Sequence, residues 1–189
     1  MKKEELLKRF VTFPEDYQLV EMTDETRNNQ KVTILRFQKD GLFRKNGPRI
    51  IGIFAGTTLV SLKNLTSVPV GKLTSTVRSE AVAEALFFKA NPDYAAGLSF
   101  IRTEHQQRQL ITDDGQLRQF PVLWVKFAHD NGSYNWVTLG AENQLIELEI
   151  DSRWDYFRGR RQTEMWDNDD WVLARAGKGP QLASPNALA

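Results

Sequence analysis

The stretch FPVLWVKFAHDNGSYNWVTLGAENQLIELEI, residues 120–150, constrains the fold more than any other part of the chain. Apolar and polar residues alternate on both sides of Asn131-Gly132, and a period of two buries one face of a strand and wets the other. Asn-Gly is the strongest short hairpin signal, because a two-residue type I′ turn needs positive φ at both central positions and these residues tolerate it. Such a loop predicts His129 opposite Tyr134, Phe127 opposite Trp136 and Trp124 opposite Leu139. Leu123, Val125, Phe127 and Trp136 then share the expected core face. Leu145, Glu147 and Glu149 alternate against Ile146, Leu148 and Ile150 as a third strand, so the stretch reads as a meander whose Trp residues serve mainly in packing.

Upstream, residues 2–10 place Leu6, Leu7 and Phe10 on one side, with Glu4 and Glu5 early and Lys8 and Arg9 late, which suits a short amphipathic helix and its dipole. YQLVEM and KVTILRFQ alternate as strands around a polar turn, TDETRNNQ, and RIIGIFA and TLVSLKNL add two more β-rich runs. STVRSEAVAEALFFKANP predicts a second helix ending before Pro92, with Val77, Ala81, Val82, Leu86 and Phe87 on a connected stripe. The pattern then recurs. FPEDYQLVEM is echoed by NPDYAAGLSFIR, VTILRFQKDG by VLWVKFAHDNG, and IGIFAGTTLVSLKN by WVTLGAENQLIELEI with one gap. The offsets are 78 from Pro14 to Pro92, 90 from Val32 to Val122 and 86 from Leu59 to Leu145, so order is kept while loop lengths drift.

The fold expected is α+β: two tandem helix-plus-antiparallel-meander units, residues 1–66 and 77–152, joined by a connector at 67–76. A single curved sheet with both helices on one face is one way to assemble them. Residues 153–176 form a C-terminal aromatic and Arg segment, and 177–189, rich in Pro, Gly, Ala and Ser, a flexible tail or an arm that needs a partner to order it. Helix, strand turn and a meander with an aromatic middle strand, finishing in LGAENQLIELEID, resembles the PepSY and YpeB-like domain family over residues 77–151 and more faintly over 4–64. The resemblance implies a cystatin-like fold, with a helix wrapped by a curved sheet. It also implies inhibition, ligand binding or regulation instead of catalysis, and an extracytoplasmic setting.

With 41% hydrophobic and 26% charged residues, 189 residues suffice for a sizeable core. The net charge is +1, +4 through Ala95 and −3 beyond it, so neither half has the basic excess that nucleic acid demands. Zero Cys excludes disulfides, thiolate nucleophiles and Cys-ligated metals. No run approaches the roughly 18 apolar residues of a membrane span. MKKEELLKRFVTF lacks the apolar core of a signal peptide, which predicts a cytoplasmic protein, or an extracytoplasmic one if a leader has been removed.

The chemical signals are few. His105 and His129, the two imidazoles, lack helical metal-ligand spacing and read as solvated or hydrogen-bonded, with His129 near the surface. Asp167, Asp169 and Asp170 in WDNDDW read as a turn in preference to a cation site. RWDYFRGRR sets Arg158, Arg160 and Arg161 beside Trp154 and Tyr156, types that grip carboxylates or a protein hot spot; pairing of these Arg with the Asp cluster is the plainer expectation. GLFRKNGPR offers Leu42 and Phe43 beside Arg44 on a lengthened loop. No catalytic motif, cofactor or metal is indicated. The expectation is a non-enzymatic binding or regulatory module that contacts a protein or peptide through a sheet edge, the 41–49 loop or the Arg-rich segment, with a homodimer left open. The alternative is a small-molecule carrier or enzyme using a cavity between sheet and helix lined by Trp124, Trp136 and Phe87.

Overall fold

A computed structural model describes residues 2–189. Among them, the chain begins with α1 (Lys3–Lys8) and a meander of β1 (Tyr17–Arg27), β2 (Gln30–Lys39), β3 (Arg49–Ala55) and β4 (Thr58–Leu65). Then come α2 (Thr76–Ala90), the short α3 (Pro92–Ala95) and a second meander of β5 (Leu98–Ile111), β6 (Leu117–His129), β7 (Tyr134–Leu139) and β8 (Leu145–Ser152). The eight strands form one antiparallel sheet in the order β1-β2-β3-β4-β8-β7-β6-β5. Each meander thus starts at a sheet edge and works inward. The last strands meet at the centre, with Leu62 opposite Leu148, a separation of 86 residues that equals the offset from Leu59 to Leu145 in the sequence. Among the described residues no helix is long and apolar enough to cross a membrane.

Local chemistry explains most of these elements. Ser75 caps α2 by accepting from the Arg78 N–H at 3.3 Å, and Asn91 ends it by capping α3. The residues α2 buries are Ser79, Ala83 and Phe87, while Val77 is 77% exposed, so the helix is rotated from the stripe the sequence suggests. The β1–β2 turn narrows to Asn28 and Asn29, both at positive φ, with Arg27 opposite Gln30.

The expected register at Asn131-Gly132 is wrong by one residue. The loop has three residues, closed by the His129 N–H donating to Ser133 O at 3.0 Å, with Gly132 at φ 82°. Ala128 therefore faces Tyr134, Lys126 faces Trp136 and Val125 faces Val137. The reason is burial: this register sets Val137 and Leu139 on the same face as Val125 and Phe127, beneath the helices, whereas a two-residue loop would turn both outward. Trp136 moves to the opposite face.

The helix side of the sheet is a filled core. Leu35, Phe37, Ile50, Phe54, Leu62, Val125, Phe127 and Leu148 pack with Leu7 of α1 and with Ala83 and Phe87 of α2. Phe87 meets Phe127 edge to face at 5.3 Å. Leu7 is fully buried because β3 has glycine beneath it: a Cβ at Gly52 would lie 2.5 Å from Leu7 Cδ2. Leu7→Ala should cost roughly 2–5 kcal/mol in a urea titration, and Gly52→Ala roughly 1–3 kcal/mol by overpacking. The Gly52→Ala penalty should largely vanish in a Leu7→Ala background; strictly additive losses would show that the two sites do not touch.

Candidate binding cleft on the outer face

Side chains directly opposite in neighbouring strands share a face, so the register lays out the face away from the helices as rows. One row runs from β1 to β4 as Glu21, Arg36, Ile51 and Lys63, and on from β8 to β5 as Glu147, Thr138, Trp124 and Glu104. Its neighbour runs Thr23, Ile34, Ile53 and Ser61, then Glu149, Trp136, Lys126 and Arg102. The slip of one residue in the β6–β7 hairpin is what brings Trp136 into this second row.

The face is curled. At about 4.8 Å between strands, a flat sheet would hold β1 about 19 Å from β8. Instead Arg27 of β1 sets Nη2 2.9 Å from Glu149 Oε1 and 2.6 Å from Ile150 O. From the other edge Arg108 of β5 donates to Glu147 through Nε and Nη2, the latter at 2.9 Å from Oε2. Two carboxylates of a central strand therefore draw in arginines from both edges.

The C-terminal segment lies in the resulting trough. It comprises β9 (Trp154–Asp155), β10 (Arg160–Arg161) and α4 (Asp169–Arg175), the last capped by Asn168, whose Oδ1 accepts from the Asp170 and Trp171 N–H groups. Over β1–β4 it seals the face. Asp169 forms a two-point pair with Arg36 at 2.7 and 2.9 Å, Trp166 packs with Val32, Ile34, Ile51 and Ile53, and Trp171 is fully buried. Over β5–β8 it leaves a cavity of about 620 Å³, floored by Trp124, Lys126, Trp136 and Glu147 and walled by Trp154, Arg161, Met165 and Pro185.

Charge in this cavity is nearly balanced. Among the described residues, Lys63 pairs with Asp167 at 2.8 Å, Arg102 with Glu104 at 2.5 Å, Arg108 with Glu147 at 2.9 Å, Arg153 with Asp151 at 2.9 Å and Arg161 with Glu149. Lys126 has no carboxylate. Its Nζ lies 3.8 Å from the centre of the Tyr134 ring and 5.4 Å from that of Trp124. Burial pushes its amine below the ordinary lysine range, and Arg102 directly across the strands adds to the effect, with Glu104 offsetting part of it.

The residues singled out from sequence divide between two places. Trp154 and Arg161 line the cavity, Arg161 stacking 5.2 Å from the Trp136 ring, and Tyr156 stands at the rim with its hydroxyl 2.7 Å from that of Tyr134. Arg158 pairs with Asp155, and Arg160 donates to Leu182 O. Leu42 and Phe43 are more than half exposed beside the sealed half, with Phe43 4.6 Å from the Arg36 guanidinium, and Arg44 Nη1 donates to Lys39 O. The Asp cluster draws Lys63, Arg36 and Lys45, not the Arg of 158–161, and only its first residues form a turn before α4 begins. His129 is half-buried against Tyr94, its Nε2 at Tyr94 O and its Nδ1 accepting from the Asn131 N–H. Residues expected as a free tail lie against 159–165: Arg161 N–H donates to Pro185 O at 2.8 Å and Ala187 is buried. The expected cavity shared by Trp124, Trp136 and Phe87 does not form: Phe87 is packed in the core, and the two Trp lie on the other face and line the trough. Lys126, Arg102 and Arg108 had no sequence signal beyond strand alternation.

No protein-family model matches the chain, and no curated protein is similar to it in sequence.

Burial alone would raise the Glu147 and Asp167 carboxyls. Arg108 and Lys63 around Glu147, and Lys63 and Arg161 around Asp167, outweigh it and hold each at about 2, against ordinary values of 4.5 and 3.8. Both values are lower in the folded than in the unfolded chain, so their stabilisation is complete above about pH 4.5 and drains away as the pH falls towards 2. Glu147→Gln should therefore lose about 3 kcal/mol at neutral pH and flatten the acid limb of a stability–pH curve. An acid limb identical to that of the parent protein would show that the carboxylate makes no net contribution.

Proposed function

We propose that the protein is a non-enzymatic binding module that contacts a protein or peptide through the open cleft, with Lys126 as the anchor for an acidic group. The observation that carries this reading is the isolation of Lys126, the one cavity cation among the described residues without a carboxylate. It faces Arg102 across the strands, and Glu104, paired with Arg102, offsets only part of that like-charge contact, which an incoming anion would relieve. Rings on two sides exclude water from that spot and strengthen such a bond.

The rim favours a macromolecule over a small ligand. Phe157 is fully exposed at the β9–β10 turn, with Tyr156 71% exposed beside it. Aromatic side chains left in water on the turn that joins Trp154 and Arg161 of the cavity wall suit a contact that covers them. The likeness to PepSY and YpeB-like domains, associated with inhibition and ligand binding, agrees with this reading. So does a division into two tandem helix-plus-meander units, since Leu62 and Leu148 pair at the centre with the separation that relates the repeated sequences. A cavity of about 620 Å³ lies within the size range of small-molecule sites, so a carrier is the second reading.

Titration with hexaglutamate at low salt should change the tryptophan fluorescence saturably, while hexalysine should not. Lys126→Ala should weaken the response about tenfold, or ~1.4 kcal/mol. A response that ignores Lys126→Ala would remove the cleft as the binding site, and an equal response per mole to benzoate would favour the carrier.

A further inference from the structure

The chain already shows what kind of segment this face accepts. Under the offsets of 90 and 85 residues that align the two halves, Ile34 corresponds to Trp124, Arg36 to Lys126 and Ile51 to Trp136. The register agrees: Arg36 lies directly opposite Ile51, and Lys126 directly opposite Trp136. In the first half this trio is covered by the segment that enters α4: Asp169 pairs with Arg36, and Trp166, three residues earlier, packs on the cluster that holds Ile34 and Ile51. In the second half the trio is open to the cavity.

We propose that the cleft over Trp124, Lys126 and Trp136 receives an acidic aromatic segment of another protein, a tryptophan followed three residues on by aspartate, seated as the chain's own Trp166 and Asp169 are seated over Ile34, Arg36 and Ile51. The inference rests on the binding-module reading and names the partner's chemistry. A second copy of this chain cannot supply the segment, because its Asp169 is paired with Arg36 and its Trp166 is packed on its own isoleucines. The two seats differ in the way a permanent and a reversible contact should differ. Arg36 holds Asp169 by two parallel bonds, whereas a lysine offers a single point charge and less geometric definition. Indole faces replace isoleucines, giving a broad surface for an incoming aromatic ring.

The test uses the full chain and a fluorescein-labelled peptide MWDNDDWVLARA, copied from residues 165–176 and read by anisotropy. The peptide should bind at least about tenfold more tightly than labelled hexaglutamate. Replacing the aspartate that copies Asp169 by Asn, or the tryptophan that copies Trp166 by Ala, should each weaken it about tenfold. Lys126→Ala protein should lose the binding and Lys126→Arg retain it, which separates loss of the charge from loss of the fold. If peptide and hexaglutamate bind equally, both through Lys126, this inference fails while the binding-module reading survives. If the peptide binds regardless of Lys126 but is lost in Arg36→Ala, it has exchanged with α4 and the inference is overturned. If neither ligand binds, both readings fall.

Discussion

Glu147 and Glu149, two residues apart on β8, hold the rest of the structure in shape. An eight-stranded antiparallel sheet would otherwise present a broad open face with strands β1 and β5 far apart. Arg27 and Arg108 reach in from those two edges to the carboxylates, and Arg161 of the C-terminal segment joins Glu149 from above. Desolvating so many charges offsets much of the Coulombic gain, and well-packed apolar residues would often stabilise as well. What charge supplies here is direction. Long arginines aimed at fixed carboxylates set how far the sheet curls, and the depth of the trough follows from that.

The trough is used unequally. Over the first meander, isoleucines meet Trp166 and the single arginine of the patch is neutralised from within the chain. Over the second, tryptophans stand where the isoleucines were and a lysine stands without a counter-charge. The sheet and its outer face are common to both. A small set of side chains therefore separates a surface that the chain covers itself from one that it leaves open.

Much of this architecture is legible in the sequence, for identifiable reasons. RIIGIFA and TLVSLKNL coincide with β3 and β4 because each is a short β-branched run bounded by turn residues. The limits of α2 follow from the Ser75 cap and the proline beyond it. The β6–β7 register does not follow, because Asp-Asn-Gly closes a loop of two or three residues with similar ease and only the tertiary burial of Val137 and Leu139 decides. That single ambiguity hid the cleft, since it placed Trp136 in the core. Trp154 and Arg161 stood out by composition, but Lys126 did not. Lacking a counter-ion is a property of neighbours that arrive from five different strands and the C-terminal segment.

The pair between Arg36 and Asp169 joins positions 133 residues apart. During synthesis β2 and β3 emerge long before α4, so Ile34, Ile51 and Ile53 spend most of translation as an uncovered apolar strip beside an uncompensated arginine. That face is covered only once α4 has left the ribosome, and contacts of such long sequence separation form late and slowly. Until then the nascent chain presents the sticky, half-finished face that chaperones hold.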